Sequence, residues 1–286
     1  MFSHAVVATD LGPSSEGIVA CAGALHSLGV KEALLVHAID LAEEPSSAED
    51  ALFQRQIDDL ERAGVRVHVE TPLGYAPHAI TKLAVEYDAG VIVMGTRGQG
   101  LFHTGFSGSV SSDVVRLSPV PVLLIPQSVG DTAGSGGSAC ERLLASILVP
   151  VDLASAAERV CELACGLVHT GADRVELLHV VEMSFEAVRE GREMRARELL
   201  DQYAMTARTS GAAQVVTTII RGRPDEEVAR LAATGRYTLI VLAPGCHDTI
   251  DQAFGSVTSS VIRSAATPVL LAPPGCDTTF YARGKT

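Results

Sequence analysis

The sequence predicts an α/β protein: two tandem doubly wound, Rossmann-like domains, each with a five-stranded parallel sheet. Three observations predict it. Short apolar runs alternate with helical patterns, that alternation occurs twice, and a Gly/Ser-rich stretch separates the two occurrences. In the first copy the apolar runs are 5–8, 33–39, 65–70, 90–94 and 120–125. Runs this short and this apolar suit strands buried on both faces of a parallel sheet. Between them, 14–28, 47–63, 77–87 and 109–117 read as helices. The hydroxyls of Ser14 and Ser47 suit N-caps, and Pro77 suits a first helical turn, where its missing N–H leaves no bond unmade.

The second copy is read by self-similarity. Val6-Val7-Ala8-Thr9-Asp10 matches Leu148-Val149-Pro150-Val151-Asp152, and His37 pairs with His179, both at an offset of 142. Val91-Ile92-Val93 matches Leu239-Ile240-Val241 at 148. Gly108-Ser109-Val110-Ser111-Ser112 matches Gly255-Ser256-Val257-Thr258-Ser259 at 147, as does Pro121-Val122-Leu123-Leu124 with Pro268-Val269-Leu270-Leu271. The expected organisation is a first domain at 1–126, a flexible Gly/Ser-rich linker at 127–143, a second domain at 144–276 and a polar tail at 277–286.

Composition narrows the function. The 286 residues are 47% hydrophobic and 20% charged, which excludes a disordered chain. A net charge of −12, with no Lys/Arg run longer than a pair, argues against nucleic-acid binding and against attachment to anionic membranes. No apolar run is long enough to span a bilayer, and the opening MFSHAVVATD lacks the pattern of a secretory signal. A cytoplasmic protein is expected. The six cysteines are scattered without a C-x-x-C pair, so they read as buried small hydrophobes in a reducing cytosol, and no metal site is expected.

The chemistry concentrates after the fourth strand. Gly95-Thr96-Arg97-Gly98 is followed, nine residues later, by Gly108-Ser109-Val110-Ser111. Glycines admit close backbone approach, and a helix start offers N–H donors and a positive dipole to phosphate. The alternative is that the glycines only shape a long loop. The segment is neither a Walker A loop nor the dinucleotide fingerprint. Asp10, at the end of the first strand, suits either a bond to a base or ribose hydroxyl or a cap on the following helix. His37 and His179 sit in apolar strands and read as satisfied core histidines, and His103 reads as a loop residue. The Arg/Glu-rich run 189–200 reads as the solvated face of an amphipathic helix.

Gly95-x2-Gly98-x9-Gly108-Ser109 behind Val91-Ile92-Val93-Met94 resembles the nucleotide loop of the universal stress protein family. The first strand ending in Asp10, Leu35-Val36-His37-Ala38 and the last strand from Pro121 are similar to that family too. The resemblance covers both copies and implies the tandem form. It implies an adenine-nucleotide site for ATP, ADP or AMP, with or without Mg²⁺, and no established catalytic role. By motif position, adenine and ribose would meet Ala8, Thr9, Asp10 and Ala38. Met94 would line the pocket, and Gly95, Arg97, Gly98, Gly108, Ser109, Val110 and Ser111 would meet the phosphates.

The second copy departs from the pattern: its loop reads Ala243-Pro244-Gly245, one residue shorter and without arginine, and Pro244 lacks an N–H. A weaker or altered site is expected there, formed by Pro150, Asp152, Val180, Ala243, Gly245, Gly255, Ser256, Val257 and Thr258. The implied function is a stress-response sensor or regulator that acts through its ligand state on a protein partner. A slow ATPase or self-phosphorylating protein using Ser109 or Ser111, and a non-nucleotide scaffold, are the alternatives. The resemblance also implies pairing of the last strands, 121–125 with 268–272, as an intrachain pseudo-dimer, with a homodimer as a further assembly.

Overall fold

The structure is a computed structural model that describes residues 1–12, 15, 18, 21–39, 47–96, 109–126, 140, 142–152, 156–182, 186–211, 214–244, 254–276 and 278. The first copy runs β1 (His4–Ala8), α1 (Ala22–Ser27), β2 (Glu32–Val36), α2 (Ser47–Arg62), β3 (Arg66–Glu70), α3 (Ala76–Glu86), β4 (Val91–Gly95), α4 (Ser109–Leu117) and β5 (Val122–Ile125). The second runs β6 (Ile147–Pro150), α5 (Ala157–Thr170), β7 (Arg174–Val181), α6 (Glu186–Ser210), β8 (Gln214–Arg221), α7 (Pro224–Ala232), β9 (Leu239–Leu242), α8 (Ser256–Ser264) and β10 (Val269–Leu271). Pro77 stands in the first turn of α3, and Ser47 is the first residue of α2. Ser14 and residues 16, 17, 19 and 20 of the predicted first helix lie outside the described residues.

All ten strands form one sheet in the order β3-β2-β1-β4-β5-β10-β9-β6-β7-β8. Within each copy neighbouring strands are parallel. The two five-stranded sheets are fused by antiparallel pairing of β5 with β10, in the register Val122↔Leu271, Leu123↔Leu270 and Leu124↔Val269. At the offset of 147, Leu270 is the counterpart of Leu123, so a pseudo-twofold axis passes through that pair. Because the seam is antiparallel, the carboxyl ends of the two sets of strands lie on opposite edges of the sheet.

Alternate residues face opposite sides. Val7, Leu35, Val93, Leu123, Val149 and Leu177 belong to the core on one face. Val6, Leu34, Ile92, Leu124, Leu148 and Leu178 belong to the core on the other. Both faces are therefore dry, as the apolar runs require. The strand at 65–70 is the exception: β3 is exposed along most of its length, with Val69 41% accessible. It is an outer strand of the sheet, and its polar Arg66, His68 and Glu70 suit a wet edge.

The other outer strand, β8, is covered by α6. That helix buries Ala196, Leu200, Ala204 and Ala207 at helical spacing. Its charged side includes Glu193, which binds Arg221 at 2.7 Å, in keeping with the amphipathic reading of 189–200. Helix α5 ends at Gly171, whose φ of 112° is the left-handed conformation that glycine supplies to helix C-termini.

One sequence expectation is corrected here. The cysteines are not all isolated: Cys21 and Cys140 form a disulfide with Cα atoms 5.0 Å apart, across 119 residues of chain. No local spacing announces a pair so distant in sequence. Cys140 and Leu143, at the carboxyl end of the predicted linker, are buried, and 127–139 lie outside the described residues.

The seam predicts a contrast. Leu123, fully buried at the pseudo-axis, sits among packed side chains that cannot collapse around a void. Leu123→Ala lowers stability by about 2–5 kcal/mol, while Val69→Ala on exposed β3 stays within about 0.5 kcal/mol of the parent. Urea denaturation followed by circular dichroism reads both.

Candidate functional site

In each copy the strand order reverses next to the first strand, between β1 and β4 and between β6 and β9. The carboxyl ends of the strands flanking such a reversal open into a crevice, the usual ligand position of open parallel sheets.

The first crevice begins at the end of β1. Thr9 N–H donates to the Val36 carbonyl at 2.9 Å, holding the ends of β1 and β2 together. The chain then turns sharply. Leu11 takes a φ of 55°, which a residue with a Cβ seldom adopts. Side chains brace that turn: Thr9 Oγ1 accepts Leu11 N–H at 3.0 Å, and Asp10 Oδ1 accepts Gly12 N–H at 3.0 Å and the Ser15 hydroxyl. Ser15 Oγ in turn accepts Asp10 N–H at 3.1 Å. At least one oxygen of Asp10 therefore organises its own loop, the capping role weighed from sequence.

The histidines act as braces as well. His37 Nδ1 lies 3.0 Å from the Thr9 carbonyl oxygen, and His179 Nδ1 lies 2.8 Å from that of Val151. A carbonyl only accepts, so each ring carries its proton on Nδ1 and donates it. The same bond at matching positions ties the second strand to the loop of the first in both copies.

The remaining predicted residues of the first site fall on the same edge. Ala8 and Met94 are buried, and Ala38 and Gly95 are half-buried. Thr96 N–H donates to the Ile125 carbonyl at 3.1 Å, closing β4 against β5. Ser109 opens α4, Val110 is exposed and Ser111 is buried. Arg97, Gly98, Gly108 and His103 lie outside the described residues.

The second crevice is a cavity of about 240 Å³. Its floor is Leu178 and Val180, its β6 side Pro150, Val151 and Asp152, and its far side Ala243 and the start of α8 from Gly255 to Thr258. Every described member of the predicted second set lines it, and Gly245 lies outside the described residues. Sequence reasoning missed Val151 and His179, although their counterparts Thr9 and His37 were in view. It also missed Val160 of α5 and Pro224 and Val228 of α7, which no loop motif marks.

Position decides what the cavity offers. Gly255 precedes α8 in an extended conformation and supplies no side-chain cap. The first-turn amides of Ser256, Val257 and Thr258 have no carbonyl ahead of them in the helix, so they form a donor set at the cavity wall. Two positions beyond the end of the first strand differ between the copies. Thr9 corresponds to Val151, and Ser15, which holds Asp10, corresponds to Ala157. Asp152 is exposed at the rim.

Beneath this cavity, one pleat deeper on the same face as Leu178, lies buried Glu176. Its carboxylate accepts bonds from Arg174 Nη2 at 2.7 Å, Thr218 Oγ1 at 2.9 Å and the Tyr237 hydroxyl at 3.1 Å. Burial alone would push the carboxyl pKa up. The three donors and the Arg174 charge outweigh burial and hold it below the ordinary glutamate value. The first copy has Leu34 at this position.

Among the described residues, no group of three or more His, Cys, Asp or Glu converges as a metal site, and no helix is long and apolar enough to cross a membrane.

Two α/β units, each with a crevice at its strand-order reversal and fused through one sheet, define a tandem Rossmann-like α/β protein. The profile of the universal stress protein family matches residues 1–126 and again 145–273. The chain belongs to the universal stress protein family, in its tandem form. It is 26% identical over 216 residues to a universal stress protein of Mycobacterium tuberculosis, covering 72% of this chain and 70% of that one. Solved structures share the fold. A universal stress protein from Archaeoglobus fulgidus superposes with a TM-score of 0.67 at 21% identity, covering 94% of this chain and 96% of its own. A Pseudomonas aeruginosa protein described as a putative universal stress protein gives 0.64 at 13% identity, covering 98% and 96%.

The buried carboxylate carries a pH signature. Its folded pKa lies below the ordinary 4.5, so its contribution to stability is fully present above 4.5 and is lost as pH falls through the folded value. Glu176→Gln is therefore less stable than the parent at neutral pH, and the gap narrows only on the acid side of 4.5. Urea midpoints measured across that range check both the gap and its closing.

Proposed function

We propose that the protein is a cytoplasmic adenine-nucleotide-binding sensor whose ligand state changes its contacts with a protein partner. The observation that carries this reading is the second cavity, in which an apolar floor, a rim carboxylate and the uncapped start of α8 converge at the strand-order reversal. An apolar floor suits a purine, a carboxylate suits ribose hydroxyls, and first-turn amides suit phosphate oxygens. The same residue types stand in register in the first copy at Ala8, Asp10, Ala38 and Ser109 to Ser111.

The copies differ in strength on this reading. The first has the full glycine loop with Arg97, so it is the stronger site for ATP, ADP or AMP. The second lacks an arginine in its loop and has Pro244 in place of an N–H donor. Either site accommodates Mg²⁺ only as a companion of the phosphates. The antiparallel seam already gives the chain its pseudo-dimer, and a homodimer would use another surface.

The test begins with nucleotide released from the purified protein by denaturation and resolved by ion-exchange chromatography, followed by calorimetric titration of stripped protein with ATP. Binding at two unequal sites is expected. Asp10→Ala weakens the stronger site about tenfold or more, in line with the loss of a charged hydrogen-bonding group, and leaves the weaker site unchanged. Protein that carries no nucleotide and binds none on titration overturns the reading and favours a scaffold. Two strong, equivalent sites overturn the asymmetry. Phosphate release that falls in Ser109→Ala favours the ATPase alternative.

A further inference from the structure

The Cys21–Cys140 disulfide joins the first crevice to the frame of the second copy. Cys21 ends the segment that begins at Asp10. Its N–H donates to the Ile18 carbonyl at 3.0 Å, and its own carbonyl accepts Ala24 N–H at 2.9 Å as α1 begins. Upstream, Ser15 N–H donates to the Gly12 carbonyl at 2.9 Å, and the Ser15 hydroxyl donates to Asp10. Local bonds thus brace two points of this segment, the turn at Leu11 and the start of α1 at Cys21.

At the other end, Cys140 leads into Leu143, whose carbonyl accepts the Thr238 hydroxyl at 2.9 Å. Thr238 Oγ1 also accepts Ser146 N–H at 2.9 Å, locking that segment to the second copy. The Cα separation of 5.0 Å lies within the span that disulfides require. The counterpart of Cys21 at the offset of 142 is Leu163, so the second crevice has no such tether.

The remaining described cysteines differ from this pair. Cys161, Cys165 and Cys276 are buried and form no disulfide. Burial pushes the Cys161 thiol up strongly and the Cys165 thiol up to about 11, which makes both poor nucleophiles.

We propose that Cys21 and Cys140 form a redox modification site whose disulfide state sets the ligand affinity of the first crevice. This rests on the adenine-nucleotide reading given above. In a cytoplasmic setting a disulfide is characteristically transient and sensing rather than permanent. The oxidant is a small-molecule disulfide. One cysteine thiolate attacks it and expels a small thiolate, leaving a mixed disulfide. The second cysteine thiolate attacks the mixed disulfide, forms the Cys21–Cys140 bond and expels the other small thiolate. The small disulfide is reduced by two electrons, the cysteine pair is oxidised by two, and the two cysteine protons pass to the departing thiols. Reduction is the reverse. Both cysteines are only 1% exposed, so exchange in either direction proceeds through local opening. The bond fixes Cys21, the downstream end of the segment that begins at Asp10, to the frame of the second copy, and reduction releases that anchor.

The test uses the full chain equilibrated with excess oxidised or reduced glutathione, alkylated and mapped as non-reduced peptides, with ATP titrated into each state. A Cys21–Cys140 linked peptide is expected only after oxidation. ATP affinity at the stronger site is expected to fall about fivefold or more on reduction, with the weaker site unchanged. Cys21→Ser and Cys140→Ser should each hold the reduced-state affinity in both buffers. Absence of the linked peptide after oxidation overturns the proposal, as does a linked peptide with equal ATP affinity in both states. Failure to bind ATP in either state counts against the nucleotide reading instead. The redox site is then judged by hydrogen exchange at the amides of Asp10, Leu11 and Gly12: slower exchange in the oxidised protein supports it, and equal exchange overturns it.

Discussion

The antiparallel ladder between β5 and β10 is the constraint on which the rest of the molecule depends. A five-stranded parallel sheet ends in an edge of unpaired N–H and C=O groups, and an apolar edge such as Val122–Ile125 could not remain in water. Pairing it with Val269–Leu271 satisfies the backbone and covers the strand's open edge. The same pairing turns two outer strands into the centre of a ten-stranded sheet. It also points the two sets of strands in opposite directions, so the two crevices open on opposite edges. Ligands bound there would lie on opposite edges and could not touch one another.

Within that frame the two copies keep one scaffold and vary its chemistry. The histidine bond from the second strand to the loop of the first is identical in kind at His37 and His179. So is the amide bond from the residue after the first strand, Thr9 or Val151, to the second strand, at Val36 or Leu178. These contacts hold the crevice open in a fixed shape. The groups facing a ligand are freer to change. Thr9 becomes Val151, Ser15 becomes Ala157, and the apolar Leu34 becomes Glu176 with its own set of donors. The second copy thus replaces two hydroxyl side chains at the crevice by apolar ones and places a hydrogen-bonded carboxylate beneath it. A carboxylate at that depth is tolerable only because three side chains converge on it.

Much of the architecture was legible before any coordinates. The predicted helix at 109–117 coincides with α4, the strand at 5–8 misses only the first residue of β1, and the strand at 90–94 is displaced by one residue from β4. The strand at 33–39 was read long: β2 stops at Val36, and His37 leaves the ladder to bind the Thr9 carbonyl. Burial was harder to read than identity. Val67 and Val69 alternate like half-buried residues, but whether a strand is central or outermost depends on sheet order, which apolar periodicity does not contain. The candidate site was legible where it lies on loops carrying glycine, serine or aspartate. It was illegible where α7 contributes Pro224 and Val228, since a helix face lining a cavity and a helix face filling a core have the same composition.

The sequence by itself determined the repeat and the strand–helix alternation, because these are properties of residues close together in the chain. Tertiary structure alone decided which residues separated by many turns became neighbours. It joined Cys21 to Cys140, set Thr218 and Tyr237 against Glu176, and paired Leu123 with its own counterpart Leu270. Local periodicity carries the information that a side chain must be buried, but the partner it is buried against depends on strand order and on the hand of the crossovers. Those are set by the packing of the whole sheet at once.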